Sequence, residues 1–257
     1  MSRTRRLAAV LAVSVLALAL GACGDSASTS GSPSSGTITV FAAASLTEAF
    51  TTIGRQFEQA HPGTAVRFSF GPSSGLAEQI DQGAPADVFA SADGDPMERV
   101  RLAGHVNRAD GFASNTLEIA VPRGNPAHVS SLADLASPDV KVALCQPQVP
   151  CGALAARVLS RAGQVVHPVT LDTDVKAVLA AVSLGEVDAG IVYTTDVRAA
   201  GTAVEGVPLP SGTNASTVYP IAALSDAPHR AGANAFVQYV LSPAGRSVLL
   251  AAGFGPP

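Results

Sequence analysis

From residue 37 to residue 252 the chain alternates between short β-branched or apolar runs and longer stretches with helical periodicity. This order constrains the fold more than any single motif, because strands alternating with helices assemble into α/β layers whose neighbouring strands run largely parallel. The strand-like runs are 37–43, 65–70, 87–91, 117–121, 141–144, 189–193 and 218–224. A first helix is expected from Ser45, with Ala49, Phe50, Ile53 and Phe57 on one face. Ser45-Leu46-Thr47-Glu48 fits a capping box, which predicts Ser45 as its N-cap, and Pro62-Gly63 stops the helix. Further helices are expected over 75–82, 95–103, 152–162, 174–184, 229–240 and 242–252. No internal repeat is visible. In sheets of this kind ligands sit at strand C-terminal ends, against helix N-termini.

Residues 1–23 read as an export signal rather than as fold. Arg3, Arg5 and Arg6 precede an apolar run over 7–20, too short to span a bilayer and suited to a signal core. The run ends in Leu20-Gly21-Ala22-Cys23, which resembles the lipobox of bacterial lipoproteins, with cleavage before Cys23 and a diacylglycerol on its sulfur. The alternative is an ordinary secretory signal cut near Ala22, leaving Cys23 free. Residues 24–36 contain six Ser and three Gly and form a flexible tether with a reach of roughly 20 Å. The expected organisation is therefore a signal peptide over 1–22, then a lipidated Cys and tether over 23–36, then the folded chain on the extracytoplasmic face of the cell membrane.

Composition narrows the partners. The formal charge is −4, and losing residues 1–22 removes three Arg and no acid, which leaves −7. Only two Lys exist, Lys141 and Lys176, and aromatics make up 5% with no Trp. A phosphate-backbone partner and base stacking are both excluded on these grounds, so no nucleic acid is expected.

Four strand-to-helix junctions carry small or polar residues with no Lys or Arg: Ala42-Ala43-Ala44-Ser45, Gly71-Pro72-Ser73-Ser74-Gly75, Val149-Pro150-Cys151-Gly152 and Asp172-Thr173-Asp174-Val175. Each offers unpaired backbone N–H groups that favour an anion, or forms an ordinary cap if it stands alone. Gly71-Pro72-Ser73-Ser74-Gly75 also fits the nucleophile-elbow pattern, with His167, His229, Asp172 and Asp188 downstream as triad partners for Ser73. Against a hydrolase, only one strand precedes the pair, and Pro72 is awkward beside Ser73. His61, His105, His128, His167 and His229 are scattered without metal-ligand spacing. Cys145 and Cys151 flank five residues that include Pro147 and Pro150, and in an oxidising compartment they are expected to bond. Two free thiols, or Cys151 as a nucleophile, are the alternatives.

The same junctions resemble those of the molybdate-binding proteins of bacterial ABC importers. Ile38-Thr39-Val40-Phe41-Ala42-Ala43-Ala44-Ser45-Leu46-Thr47 is similar to that family's opening motif. Gly83-Ala84-Pro85-Ala86-Asp87-Val88-Phe89-Ala90-Ser91-Ala92-Asp93 is similar to its second, and Gly190-Ile191-Val192-Tyr193 to its third. The resemblance covers about residues 37–257. It implies an α/β periplasmic-binding fold of type II, with two lobes over 37–117 plus 223–257 and over 118–222 and the ligand in the cleft between them. It implies molybdate or tungstate as ligand, no cofactor and no catalysis, and, as partners, an ABC permease with its ATPase and the membrane through the lipid anchor; the protein is expected to be a monomer. Ser45 and Ser73 would donate hydroxyl and backbone N–H, Cys151 and Val175 backbone N–H, and Tyr193 its hydroxyl. Ser74 is the register alternative to Ser73, and Ala44 and Asp174 are neighbours. Many family members carry Ala where this chain has Cys151, a change that a backbone donor survives. A receptor for another tetrahedral oxyanion such as sulfate is the alternative within the binding class.

Overall fold

The computed structural model describes residues 36–257. The export signal, Cys23 and the tether up to residue 35 lie outside the described residues. The first half of the fold contains strands β1 (Gly36–Ala43), β2 (Thr64–Gly71) and β3 (Val88–Ala90), with helices α1 (Thr47–Ala60), α2 (Ser73–Asp81) and α3 (Gly94–Leu102). The long strand β4 (Asp110–Pro122) leads to β5 (Val142–Cys145), α4 (Pro150–Arg161), β6 (Thr170–Asp172), α5 (Val175–Ser183), β7 (Ala189–Tyr193), α6 (Thr194–Ala200) and β8 (Val204–Pro208). Strand β9 (Ser216–Ala223) and helices α7 (Arg230–Leu241) and α8 (Pro243–Ala252) close the chain.

The strands join in the order β2-β1-β3-β9-β4-β7-β5-β6, with β8 also on β4. Each half is built on a parallel trio, β2-β1-β3 and β7-β5-β6. Of the antiparallel strands, β4 and β9 connect the halves, and β8 pairs only with β4. Over Asp110–Thr116 β4 pairs with β9, and from Leu117 onward it pairs with β7 and β8. One strand thus belongs to both halves. The chain returns to the first half ahead of β9, which pairs with β3.

The apolar periodicities explain the packing. In α1, Ala49, Phe50, Ile53 and Phe57 are all buried, as their spacing predicts, and Phe50 packs against the rings of Phe68, Phe112 and Phe236. In the second half Val178 and Val182 of α5 press onto β7 so closely that a Cβ on Gly190 would sit 2.6 Å from Val178 Cγ1. Only glycine permits that approach. The short segments β6, α6 and β8 have no counterpart among the expected elements. Strand β8 has two exposed residues in mid-strand, and α6 reads TTDVRAA without an apolar stripe.

Candidate functional site

The C-terminal ends of all six parallel strands open onto one cavity, of about 220 Å³. From the first half, Ala43, Ala44 and Ser45 follow β1, Gly71, Pro72 and Ser73 end β2 and open α2, and Ala92 follows β3. From the second half, Val149, Pro150 and Cys151 lead into α4, Asp174 and Val175 open α5, and Tyr193 ends β7. The structure therefore brings together Ser45, Ser73, Cys151, Val175 and Tyr193, together with the neighbours Ala44 and Asp174. Ser74 is not among the lining residues; it faces a separate surface pocket beside Asp93 and Pro147.

The first N–H groups of a helix have no carbonyl one turn back to bond, so each junction presents backbone donors. The side chains add hydroxyl donors. Ser73 Oγ accepts the Ala92 N–H at 3.0 Å, which leaves its own proton free. The Tyr193 hydroxyl is fully buried and has no hydrogen-bond partner among the described residues. Its pKa is pushed well above the usual phenol value by burial and then by the neighbouring Tyr219 and Asp93, so it is a neutral donor. Ser45 differs from the sequence expectation. A short 3-10 turn, Ala44–Leu46, precedes α1, whose N-cap is Leu46 with no side-chain cap. The Ser45 hydroxyl instead meets the Tyr219 hydroxyl at 2.9 Å, a contact 174 residues away in sequence that overrides the local capping signal. Tyr219, buried in β9 at the edge of the site, was missed by sequence reasoning, since a tyrosine in a strand carries no motif.

No Lys, Arg or His lines the cavity. Asp174 supplies the one carboxylate, and its Oδ1 caps α5 by accepting the N–H of Lys176 at 2.9 Å and of Ala177 at 3.1 Å. Lys176 is turned aside: its Nζ meets Glu48 of α1 at 2.8 Å and the buried Asp196 of α6 at 3.1 Å. Asp196 in turn accepts the Tyr193 N–H at 3.2 Å, so this ion cluster braces the β7-to-α6 turn from behind. Burial raises the Asp196 carboxyl to about 6 against the opposing pull of Lys176. Burial would lower the Lys176 pKa, but Asp196 and Glu48 outweigh it and raise it.

The cavity rim is also held covalently. Cys145, the last residue of β5, is bonded to Cys151 in the first turn of α4, with a Cα–Cα distance of 5.8 Å. Next to it, a Cβ on Gly152 would collide with the Gln146 carbonyl, so the start of α4 and the strand end are fixed against each other.

Among the described residues no histidine lines the cavity beside Ser73. His229 sits instead with Asp87, its backbone N–H donating to Asp87 Oδ1 at 2.7 Å and its ring Nδ1 lying 3.4 Å from Asp87 Oδ2. Among the described residues no cluster of His, Cys, Asp and Glu could hold a metal ion. What the cavity can do is surround an anion with oriented neutral donors.

Comparison with known proteins agrees with this geometry. Residues 38–255 match the family of bacterial extracellular solute-binding proteins. The molybdate-binding protein ModA of Mycobacterium tuberculosis (strain ATCC 25618 / H37Rv) is 43% identical over 255 residues, covering 96% of this chain and 97% of that protein. Among solved structures, the periplasmic molybdate-binding protein of Azotobacter vinelandii superimposes with a TM-score of 0.76 at 22% identity, covering 86% of this chain and 99% of that one. The sulfate-binding protein SubI of Mycobacterium tuberculosis H37Rv gives 0.77 at 20% identity, with 86% of each chain covered. At those identities the two structures establish the shared two-lobed α/β fold. The strand order, the donor-lined cavity and the sequence match over 96% of the chain together show that this chain belongs to the bacterial extracellular solute-binding proteins, in the family of the molybdate-binding proteins.

Proposed function

We propose that the protein captures molybdate, and tungstate on the same terms, and passes it to an ABC permease driven by its ATPase. The observation that carries this reading is a cavity whose donor residues Ser45, Ser73, Cys151, Val175 and Tyr193 are all buried, with no cation on its lining and with a phenol that has no hydrogen-bond partner of its own. A buried dianion is very costly unless hydrogen-bonded, and fixed N–H and O–H dipoles supply those bonds. In this assignment Ser45 and Ser73 donate hydroxyl and backbone N–H, Cys151 and Val175 donate backbone N–H, and Tyr193 donates its hydroxyl from the other lobe. The name of the 43% identical relative supports molybdate over other tetrahedral oxyanions.

In this reading the two lobes are the halves built on the two parallel trios, joined by two crossings, one through β4 and one on the return to the first half; the pairing of β9 with β3 supports a return ahead of β9. Hinge closure over the ligand follows from a site divided in this way. The protein works as a monomer on the outer face of the membrane, held through a lipid on Cys23. In support, the lipobox-like ending stands directly before a tether, and no helix among the described residues is long and apolar enough to cross a membrane.

A melting screen tests the reading. Molybdate and tungstate at a hundred times their dissociation constant should each stabilise the protein by about 2.7 kcal/mol. Sulfate has shorter bonds to oxygen and cannot reach every donor, while phosphate near neutral pH carries a proton that needs an acceptor, and the one carboxylate on the lining, Asp174, has its Oδ1 taken up by the Lys176 and Ala177 N–H groups. Stabilisation by sulfate or phosphate equal to that by molybdate refutes the assignment.

A further inference from the structure

We propose that Tyr219 and Asn115 fix the direction of the Ser45 hydroxyl proton, and so restrict the cavity to oxyanions that carry no proton of their own. The inference rests on the oxyanion-binding reading above and assigns positioning roles to two residues outside the cavity wall.

The argument begins at Asn115, which is 3% exposed and sits in β4 just before the strand changes partners from β9 to β7. Its Oδ1 accepts the Thr116 backbone N–H at 3.0 Å and the Thr194 hydroxyl at 3.1 Å. A backbone N–H can only donate, so the amide oxygen must face it, and the side chain cannot be turned over. The Nδ2 group therefore points the other way, to Thr195 Oγ1 at 2.8 Å and Tyr219 Oη at 3.4 Å. Both of those oxygens receive a proton.

Tyr219 is fully buried, and its Oη also lies 2.9 Å from Ser45 Oγ. Either oxygen could donate in that contact taken alone, and the Asn115 amide breaks the symmetry. With Asn115 donating to Tyr219, the phenol proton has Ser45 Oγ as its acceptor. If Ser45 donated instead, the Tyr219 proton would be left buried and unbonded, which costs about 1–3 kcal/mol. The Tyr193 hydroxyl lies beside Tyr219 but makes no hydrogen bond of good geometry with it, whereas Ser45 Oγ at 2.9 Å does, so the phenol proton goes to Ser45. The order is thus Asn115 to Tyr219 to Ser45, and the Ser45 proton is left for the cavity that Ser45 lines.

A deprotonated oxyanion only accepts, and it meets a donor at Ser45. A ligand oxygen that still carries hydrogen meets a proton there. Turning the Ser45 O–H away to welcome such a ligand would set it against the Tyr219 proton. Asn115 also holds Thr194 and Thr195, the first two residues of α6, which follow Tyr193 directly. One amide therefore aligns donors contributed by both halves of the sheet.

The test is calorimetry on the full chain with Ser45→Ala, Tyr219→Phe and the double variant. The phenylalanine keeps the ring that packs against Phe112 and Phe254. Each single change should weaken molybdate about tenfold or more, and the double variant should bind no more weakly than Ser45→Ala, because Tyr219 acts through Ser45. Phosphate should compete with molybdate better in Tyr219→Phe than in the wild type, since the Ser45 hydroxyl can then rotate and accept. Additive losses, or an unchanged molybdate-to-phosphate preference in Tyr219→Phe, overturn the proposal. A wild-type protein that ignores molybdate overturns the parent reading and this one with it.

Discussion

Tyr193→Phe should make the empty protein more stable and the loaded protein less so. The hydroxyl is entirely buried and has no partner among the described residues. Leaving such a group unsatisfied costs about 1–3 kcal/mol, and removing it while keeping the ring returns most of that. At about 2–4 °C per kcal/mol for a domain of this size, the empty variant should melt several degrees above the wild type. On the proposed assignment the same hydroxyl donates to bound molybdate, a hydrogen bond worth about 1.5–3 kcal/mol. Its loss should weaken binding about ten- to a hundredfold. The assay is a pair of melting series, with and without molybdate, alongside calorimetric affinities. The wild type should rise steeply with ligand and the variant little, so that the two series cross as molybdate is added. A variant that melts below the wild type when empty refutes the unsatisfied-donor argument. A variant that binds molybdate as tightly as the wild type refutes the assignment of Tyr193 as a ligand donor.

Three other consequences can be checked. Reducing the Cys145–Cys151 bond should add two alkylatable thiols by intact mass and lower stability by roughly 2 kcal/mol, the chain-entropy value for so short a loop; equal labelling with and without reductant would show free thiols. Lys176→Met strands the fully buried Asp196 and should destabilise by about 3–5 kcal/mol, whereas Glu48→Gln touches only the half-exposed partner and should cost less than about 1 kcal/mol in denaturant unfolding. Asp196 has its folded pKa raised by burial to about 6 from the ordinary aspartate value of 3.8, so its contribution is fully present below about pH 4 and is lost as pH rises through 6. The stability of the wild type relative to Asp196→Asn should accordingly fall by up to about 3 kcal/mol between pH 4 and 7, and a difference that is flat or rises with pH contradicts the assignment.

Local pattern alone determined a good deal of this protein. Helix α1 was readable because its four apolar residues fall on one face, and β1, β3 and β7 because they are short runs buried on both sides. The donor character of the junctions was readable as well, since a helix start after a small-residue loop has unpaired N–H groups wherever it lies. Elements stabilised by what they touch were not readable. Strands β6 and β8 contain only three and five residues with mixed exposure, and α6 lacks a stripe, so neither period stands out. The first part of β4, Asp110–Thr116, becomes a strand by pairing with β9 across a hundred residues. Nor could any local signal show that the six strand ends meet at one cavity, because convergence is a property of strand order and direction. The fate of Ser45 makes the same point at one residue: its sequence neighbourhood offers a cap, and the fold gives its hydroxyl to Tyr219. A capping box can be written from four consecutive residues, but a bond between β9 and the turn after β1 exists only once the sheet has placed the two hydroxyls 2.9 Å apart.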